Sequence, residues 1–204
     1  MPLYATVDFE CINKSGTWCA YAVMVVEYPS CKVVDFIVSY VQRPCTDFDP
    51  HTTEFWNNNI YIYDHILKNS TTDIVGEEFR LCSFIHNLVT KHPDVHFISD
   101  NPQMDIRLLD NILCKHHHFP ISMRGNYIYY QTICTWSFKQ AISAIVKKSP
   151  STDRILNQHE VKISKTPLFT WLGPKHLPLS DCARIIYQYF VYRSYASDIR
   201  ILCD

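Results

Sequence analysis

The chain opens on three segments, residues 3–9, 18–28 and 32–42, that are rich in β-branched and aromatic residues. The gaps between them carry Asn13, Gly16, Pro29 and Ser30. Apolar runs bounded by turn formers predict three strands joined by short turns, arranged as antiparallel hairpins. The period then changes. From Asp73 to Lys91 the apolar positions Val75, Phe79, Cys82, Ile85 and Val89 recur every three to four residues, Thr72 is placed to cap the start, and Pro93 ends the run. This predicts a helix. Residues 95–99 (Val-His-Phe-Ile-Ser) read as a short buried strand, and Ile106, Leu109, Ile112 and Leu113 as the apolar face of a second helix. Residues 127–134 predict another strand, 136–146 another helix, and Cys182, Ile185, Ile186, Tyr189 and Phe190 the buried face of a last one. Residues 147–175, with their turn formers and lysines, read as a surface loop without a fold of its own. Hairpins followed by alternating helices and strands predict an α/β layered architecture with a mixed sheet.

Composition narrows the class. A chain of 204 residues fits one domain, residues 1–204, with a single core. It is 47% hydrophobic and has only 4 glycines, which excludes disordered and collagen-like chains. Polar residues break the apolar stretches well short of the ~20 needed to cross a bilayer, and a carboxylate appears by residue 8, so neither a membrane span nor a signal peptide is expected. The 9 cysteines are an odd number at scattered positions, several where a small apolar residue belongs, which points to a soluble protein in a reduced, intracellular compartment, cytoplasmic or nuclear. A zinc site has to be weighed because Cys114 precedes His116, His117 and His118, yet no Cys-x-x-Cys pair completes it. Lys plus Arg total 19 against 20 for Asp plus Glu, a net charge of −1. Nucleic acid is therefore not held by bulk positive charge, and any polyanion bound here needs another neutralising group.

Three short motifs carry candidate chemistry. Asp8 and Glu10 lie two apart at the end of the first predicted strand, so both side chains share one face and Phe9 takes the other. As an isolated pair they read equally as solvated acids at an exposed strand end. The segment Ile98-Ser99-Asp100-Asn101-Pro102-Gln103-Met104-Asp105 places acids where a buried strand gives way to a helix, which is where open α/β sheets bind ligands. Helix capping is the competing reading for Asp100 and Asp105. In Lys175-His176-Leu177-Pro178-Leu179-Ser180-Asp181, Pro178 suits a first helical turn, so His176 lies just outside the helix and Asp181 about one turn inside. Alone, that too reads as a cap beside a surface histidine.

Taken in order, Asp8-x-Glu10, Asn101-x-x-x-Asp105 and His176-x-x-x-x-Asp181 resemble the three motifs of the DEDDh family of 3′-to-5′ exonucleases, and the match spans nearly the whole chain. Ile98 to Pro102 and the aromatic pair Phe55-Trp56 look most like the small phage and bacterial members. Cys11 stands where the family usually has Thr, Pro178 where Ala is common, and Met104 where an aromatic precedes the acid. The resemblance implies a ribonuclease H-like fold, with a central mixed β-sheet, antiparallel hairpin strands first and parallel strands after, flanked by α-helices. It implies that Asp8, Glu10, Asp105 and Asp181 hold two divalent cations, Mg²⁺ or Mn²⁺, and that His176 is the general base. The activity implied is hydrolysis of phosphodiester bonds from the 3′ end of RNA or DNA, single-stranded or overhanging, releasing nucleoside 5′-monophosphates. A catalytically inactive ribonuclease H-like binding module is the alternative. Phe9, Asn101 and Trp56 are the candidate substrate contacts; Phe9, Phe55 and Trp56 are candidates for stacking on a terminal base, with Trp56 favoured. Relatives are often homodimers, and an aromatic content of 14% is compatible with that.

Overall fold

The computed structural model describes residues 1–44, 48–116, 132–145 and 150–200. Strands β1 (Leu3–Cys11), β2 (Trp18–Glu27), β3 (Lys32–Tyr40), β4 (His96–Ser99) and β5 (Ile133–Cys134) form one sheet in the order β3-β2-β1-β4-β5. β1 pairs antiparallel with β2, and β2 with β3, whereas β4 joins β1 and β5 joins β4 in parallel. This is the predicted mixed sheet, hairpins first. Seven helices are described: α1 (Pro50–Asn58), α2 (Ile60–Asn69), α3 (Ile74–Lys91), α4 (Asp105–Lys115), α5 (Thr135–Ile145), α6 (Pro150–Ser164) and α7 (Pro178–Arg200).

The pleat of β1 sorts its side chains between two cores. Ala5, Val7 and Phe9 join Tyr21, Val23 and Val25 of β2 against Leu81, Cys82 and Ile85 of α3 and Leu109 and Leu113 of α4. Tyr4 on the other face, with Ala22, Met24 and Val26, packs against Cys182, Ile186 and Phe190 of α7. Both faces of β2 are thus covered, which is why its sequence is a nearly continuous apolar run rather than an alternating one. Asp8 and Glu10 carry the parity of Tyr4 and therefore belong to the α7 face, near the C-terminal end of β1.

Several local expectations are corrected. The cap of α3 is Asp73, whose side chain accepts from the Gly76 amide at 2.9 Å, and not Thr72. The segment 147–175 is not a structureless loop, since it contains α6 and a 3₁₀ turn at Pro167–Trp171. Ile163 and Leu168 are buried in the α7 core, and His159 Nε2 lies 2.8 Å from Asp198 Oδ2 of α7. Its charged face hid a helix whose apolar side is narrow. Helices α1 and α2 were not foreseen: α1 is polar and α2 opens Ile-Tyr-Ile-Tyr, which imitates a strand. The signal for α1 was present in Asp49, which accepts from the Thr52 amide at 2.9 Å, followed by Pro50. The strand predicted over 127–134 is described only at Ile133–Cys134, because residues 127–131 lie outside the described residues.

Candidate active site

One cleft of about 360 Å³ is lined by Asp8, Phe9, Glu10, Asp100, Asn101, Met104, Asp105, Lys175, His176, Asp181, Arg184, Ile185 and Gln188. Residues from all three motifs, nearly 170 positions apart in sequence, meet there for separate structural reasons. Parity brings Asp8 and Glu10 toward α7. The parallel pairing of β4 with β1 sets the β4–α4 turn beside the same strand end. The first turn of α7 supplies Asp181, and the loop before it supplies His176.

Asp105 is the first residue of α4 and only 1% exposed. It does not cap its own helix. Its Oδ1 accepts from the Phe9 amide of β1 at 3.2 Å and its Oδ2 from Ser99 Oγ at 3.1 Å, so it ties α4 to the strand that carries the Asp-x-Glu pair. Burial pushes its pKa up to about 7, against the lowering effect of the Phe9 amide and with Asp100 and Glu10 adding repulsion. Asp8 is raised well above the ordinary carboxylate range by burial first, then by Glu10, Asp105 and Asp181. Its Oδ2 is buried with no hydrogen-bond partner among the described residues. A buried, unpartnered carboxylate oxygen among further acids is costly unless a cation joins it. Glu10 is raised as well, by burial, while His176 pulls it back.

His176 has the left-handed backbone value φ 65, unfavourable for a residue with a Cβ. The conformation is held by Asp181 Oδ2, which accepts the His176 amide at 2.6 Å, and by Phe55, whose ring meets the imidazole edge-on at 4.7 Å. Nδ1 lies 3.7 Å from Glu10 Oε1, and that carboxylate, more than any other group, raises the imidazole pKa above its ordinary 6.5. His176 is therefore more basic in the metal-free protein than its sequence suggests. Arg184, one turn beyond Asp181, bonds Asp181 Oδ1 at 3.3 Å and donates to the Gly173 carbonyl at 3.0 Å, fastening the His176 loop onto α7. Sequence reasoning missed Arg184, although its i,i+3 spacing from Asp181 was a usable signal.

The donor set fits divalent cations. Four carboxylates supply the hard oxygens that Mg²⁺ and Mn²⁺ prefer, and among the described residues Asp8 Oδ2 has no hydrogen-bond donor. Glu10, His176 and Asp181 also present ligand atoms that all lie within 4.8 Å of one another.

Two expected substrate contacts are not at a free surface. Trp56 is 2% exposed; its indole donates to the Cys11 carbonyl at 3.3 Å, and it packs with Ile12, Ile62 and Ile66. Phe9 is equally buried, against Trp18 and Tyr21. Phe9 borders the cleft but neither ring has a face open to a base, and Phe55 meets the site through its edge contact with His176. Asn101 lines the cleft as expected. Trp56→Ala should therefore destabilise the fold by about 3–5 kcal/mol, the usual result of emptying a large core site, while Trp56→Phe keeps the substrate KM; chemical denaturation and a KM measurement check both.

The cluster around Cys114 does not assemble among the described residues. His116 Nε2 and Lys115 Nζ both lie 2.7 Å from Glu78 Oε2, and against its burial they hold the Glu78 carboxyl below its ordinary value. Cys114 Sγ turns to Asp110 at 3.8 Å, and His117 and His118 lie outside the described residues.

No family model matches the chain, and no curated protein matches it by sequence. Solved structures do match. The cell-death related nuclease 4 (CRN-4) superposes with a TM-score of 0.51 at 14% identity, over 91% of this chain and 62% of that one. The chain shares the fold of that nuclease, a mixed α/β sheet with helices on both faces. This chain spans less than two thirds of CRN-4. The nuclease domain of 3′hExo, a DEDDh family member bound to rAMP, matches at a TM-score of 0.45 and 16% identity over 93% of this chain and 90% of that one. A full-length 3′-exonuclease matches at 0.44 and 13%, over 96% and 82%. In the sheet of this chain, the candidate residues stand at the C-terminal ends of β1 and β4 and at the start of α7. None of the described helices is long and apolar enough to cross a membrane.

Proposed function

We propose that the chain is a metal-dependent 3′-to-5′ exonuclease of the DEDDh type, acting on the 3′ end of RNA or DNA, single-stranded or overhanging, and releasing nucleoside 5′-monophosphates. The observation that carries this reading is the buried, unpartnered Oδ2 of Asp8 in a cleft shared with Glu10, Asp105, Asp181 and His176. Asp8, Glu10 and Asp181 offer carboxylate oxygens toward two divalent cations. Asp105 has a donor on each oxygen and adds its remaining lone pairs while holding the strand end in place. Such ions, when bound, supply charge stabilisation for the attacking and leaving oxygens of an in-line displacement. His176 takes the proton of the attacking water on its imidazole, in a loop fixed by Asp181 and Arg184. Lys175 and Arg184 put positive charge at the cleft of a protein whose net charge is −1. The seven described cysteines are free, which supports a reducing setting in the cytoplasm or nucleus. An inactive binding module would have no reason to keep all five residues in one cleft.

End-labelled RNA and DNA strands, each blocked at one terminus, test the proposal. With Mg²⁺ or Mn²⁺, strands with a free 3′ end shorten stepwise to 5′-monophosphates, and 3′-blocked strands persist. Degradation of the 3′-blocked strands would overturn the polarity, and binding without cleavage under either metal would favour the inactive module.

A further inference from the structure

We propose that Glu10, His176 and Asp181 form a capture site for a borderline transition-metal ion, Zn²⁺ by its ligand chemistry, and that its occupancy switches the centre off by withdrawing His176 from proton transfer. The inhibitory half rests on the nuclease reading above. The binding half stands on the geometry alone.

The three side chains present ligand atoms within 4.8 Å of one another, and His176 Nδ1 is 3.7 Å from Glu10 Oε1. A tetrahedral ion with bonds of about 2.0–2.1 Å has ligand-to-ligand edges of about 3.3 Å, so the pair already measured needs an inward shift of well under 1 Å. The ligands are also oriented from behind, as metal ligands usually are. Asp181 is fixed by the His176 amide on one oxygen and by Arg184 on the other, and both oxygens keep a lone pair. The imidazole is set by the edge of Phe55. Asp8, its Oδ2 buried without a partner in the same cleft, is available as a fourth donor.

Ion chemistry separates this trio from the four-carboxylate set. Mg²⁺ prefers six hard oxygens and gains little from an imidazole, so with Mg²⁺ the nitrogen of His176 stays free. Zn²⁺ binds imidazole strongly and accepts four ligands of mixed N and O type. With Nδ1 on the ion, the ring proton resides on Nε2, and neither nitrogen can accept another. Zn²⁺ therefore takes two carboxylates and the base in one step, and a chelator reverses it.

The test uses the metal-free 204-residue chain, wild type and His176→Gln. Zn²⁺ affinity is read by competition with a chromophoric chelator and Mg²⁺ affinity by calorimetry. The expected result is a loss of more than about 100-fold in Zn²⁺ affinity in the variant, beyond what even orienting partners contribute, with Mg²⁺ affinity nearly unchanged. The Co²⁺-loaded wild type should show one paramagnetically shifted imidazole N–H proton, a readout that needs no variant to fold. Equal Zn²⁺ affinity in both proteins, or no shifted imidazole proton, would overturn the site. Zn²⁺ bound through His176 in a protein that Mg²⁺ and Mn²⁺ leave inactive would sustain the site and refute the nuclease reading. Hydrolysis that continues with Zn²⁺ on His176 would overturn the inhibitory role and sustain the nuclease.

Discussion

Asp8→Asn is expected to lower nuclease activity by on the order of 10³-fold or more and, in the same protein freed of metal, to raise the melting temperature. The two effects have one cause. The Asp8 carboxyl is held well above its ordinary pKa by burial and by its acidic neighbours, and its Oδ2 has no partner, so ionised Asp8 opposes folding until a cation joins it. Asparagine keeps the shape and removes the charge. Asp105→Asn differs, because Asp105 accepts from Phe9 and Ser99, and the substitution disturbs the anchor of α4 as well as the charge.

The same cluster fixes the pH dependence of stability. Asp8, Glu10 and Asp105 all have folded-state values above their unfolded ones, so between the two the folded state holds more protons, and stability falls as pH rises. For Asp105 the rise from 3.8 to about 7 corresponds to roughly 4 kcal/mol at ~1.4 kcal/mol per pH unit. His176 acts with the same sign. Its folded value is raised by Glu10, so its contribution is complete below pH 6.5 and is lost as pH rises through the folded value. Metal-free wild type should therefore melt higher at pH 5 than at pH 8, and Asp8→Asn should shrink the gap. Millimolar Mn²⁺ should raise the pH 8 value by mass action on the folded state. A metal-free protein that melts higher at pH 8 would contradict the buried acidic cluster.

His176→Ala is expected to lower turnover by about 10²- to 10⁴-fold, the range general-base catalysis supplies, with Mg²⁺ affinity little changed because the four carboxylates remain. The wild-type rate should fall on the acid side. With cations neutralising Glu10, that limb should lie near the ordinary histidine range of about pH 6 to 7, and the variant should lose it. The comparison matters because metal-bound species titrate in the same range, and only a limb that disappears with the side chain belongs to it. Near-normal turnover and an unchanged profile in the variant would leave His176 as a loop residue packed edge-on against Phe55.

The antiparallel hairpin opening, the mixed sheet and the face on which Asp8 and Glu10 stand were legible in the sequence, because turn residues bound the strands and alternation sets their faces. The strand order came from the packed chain. Strand alternation assigns odd and even residues of β1 to opposite cores, and the helical repeats of α4 and α7 name their buried sides. In α3, Cys82, Ile85 and Val89 are buried as expected but Val75 and Phe79 are exposed, the buried face running through Leu81 and Leu88 instead. Periodicity failed where the apolar face is narrow or mimics another period, as in α6, α1 and α2. Which side chains meet was settled by packing between distant segments. Trp56 looked like a stacking platform until the cluster of Ile12, Ile62 and Ile66 closed over it, and Phe55 beside it was brought to His176 instead. Asp105 read as a cap until β1 came close enough to offer the Phe9 amide. The basicity of His176 and the strained acidity of Asp8 belong to no local motif, since a pKa is set by burial and by charges that the chain brings together from residues 8 to 181.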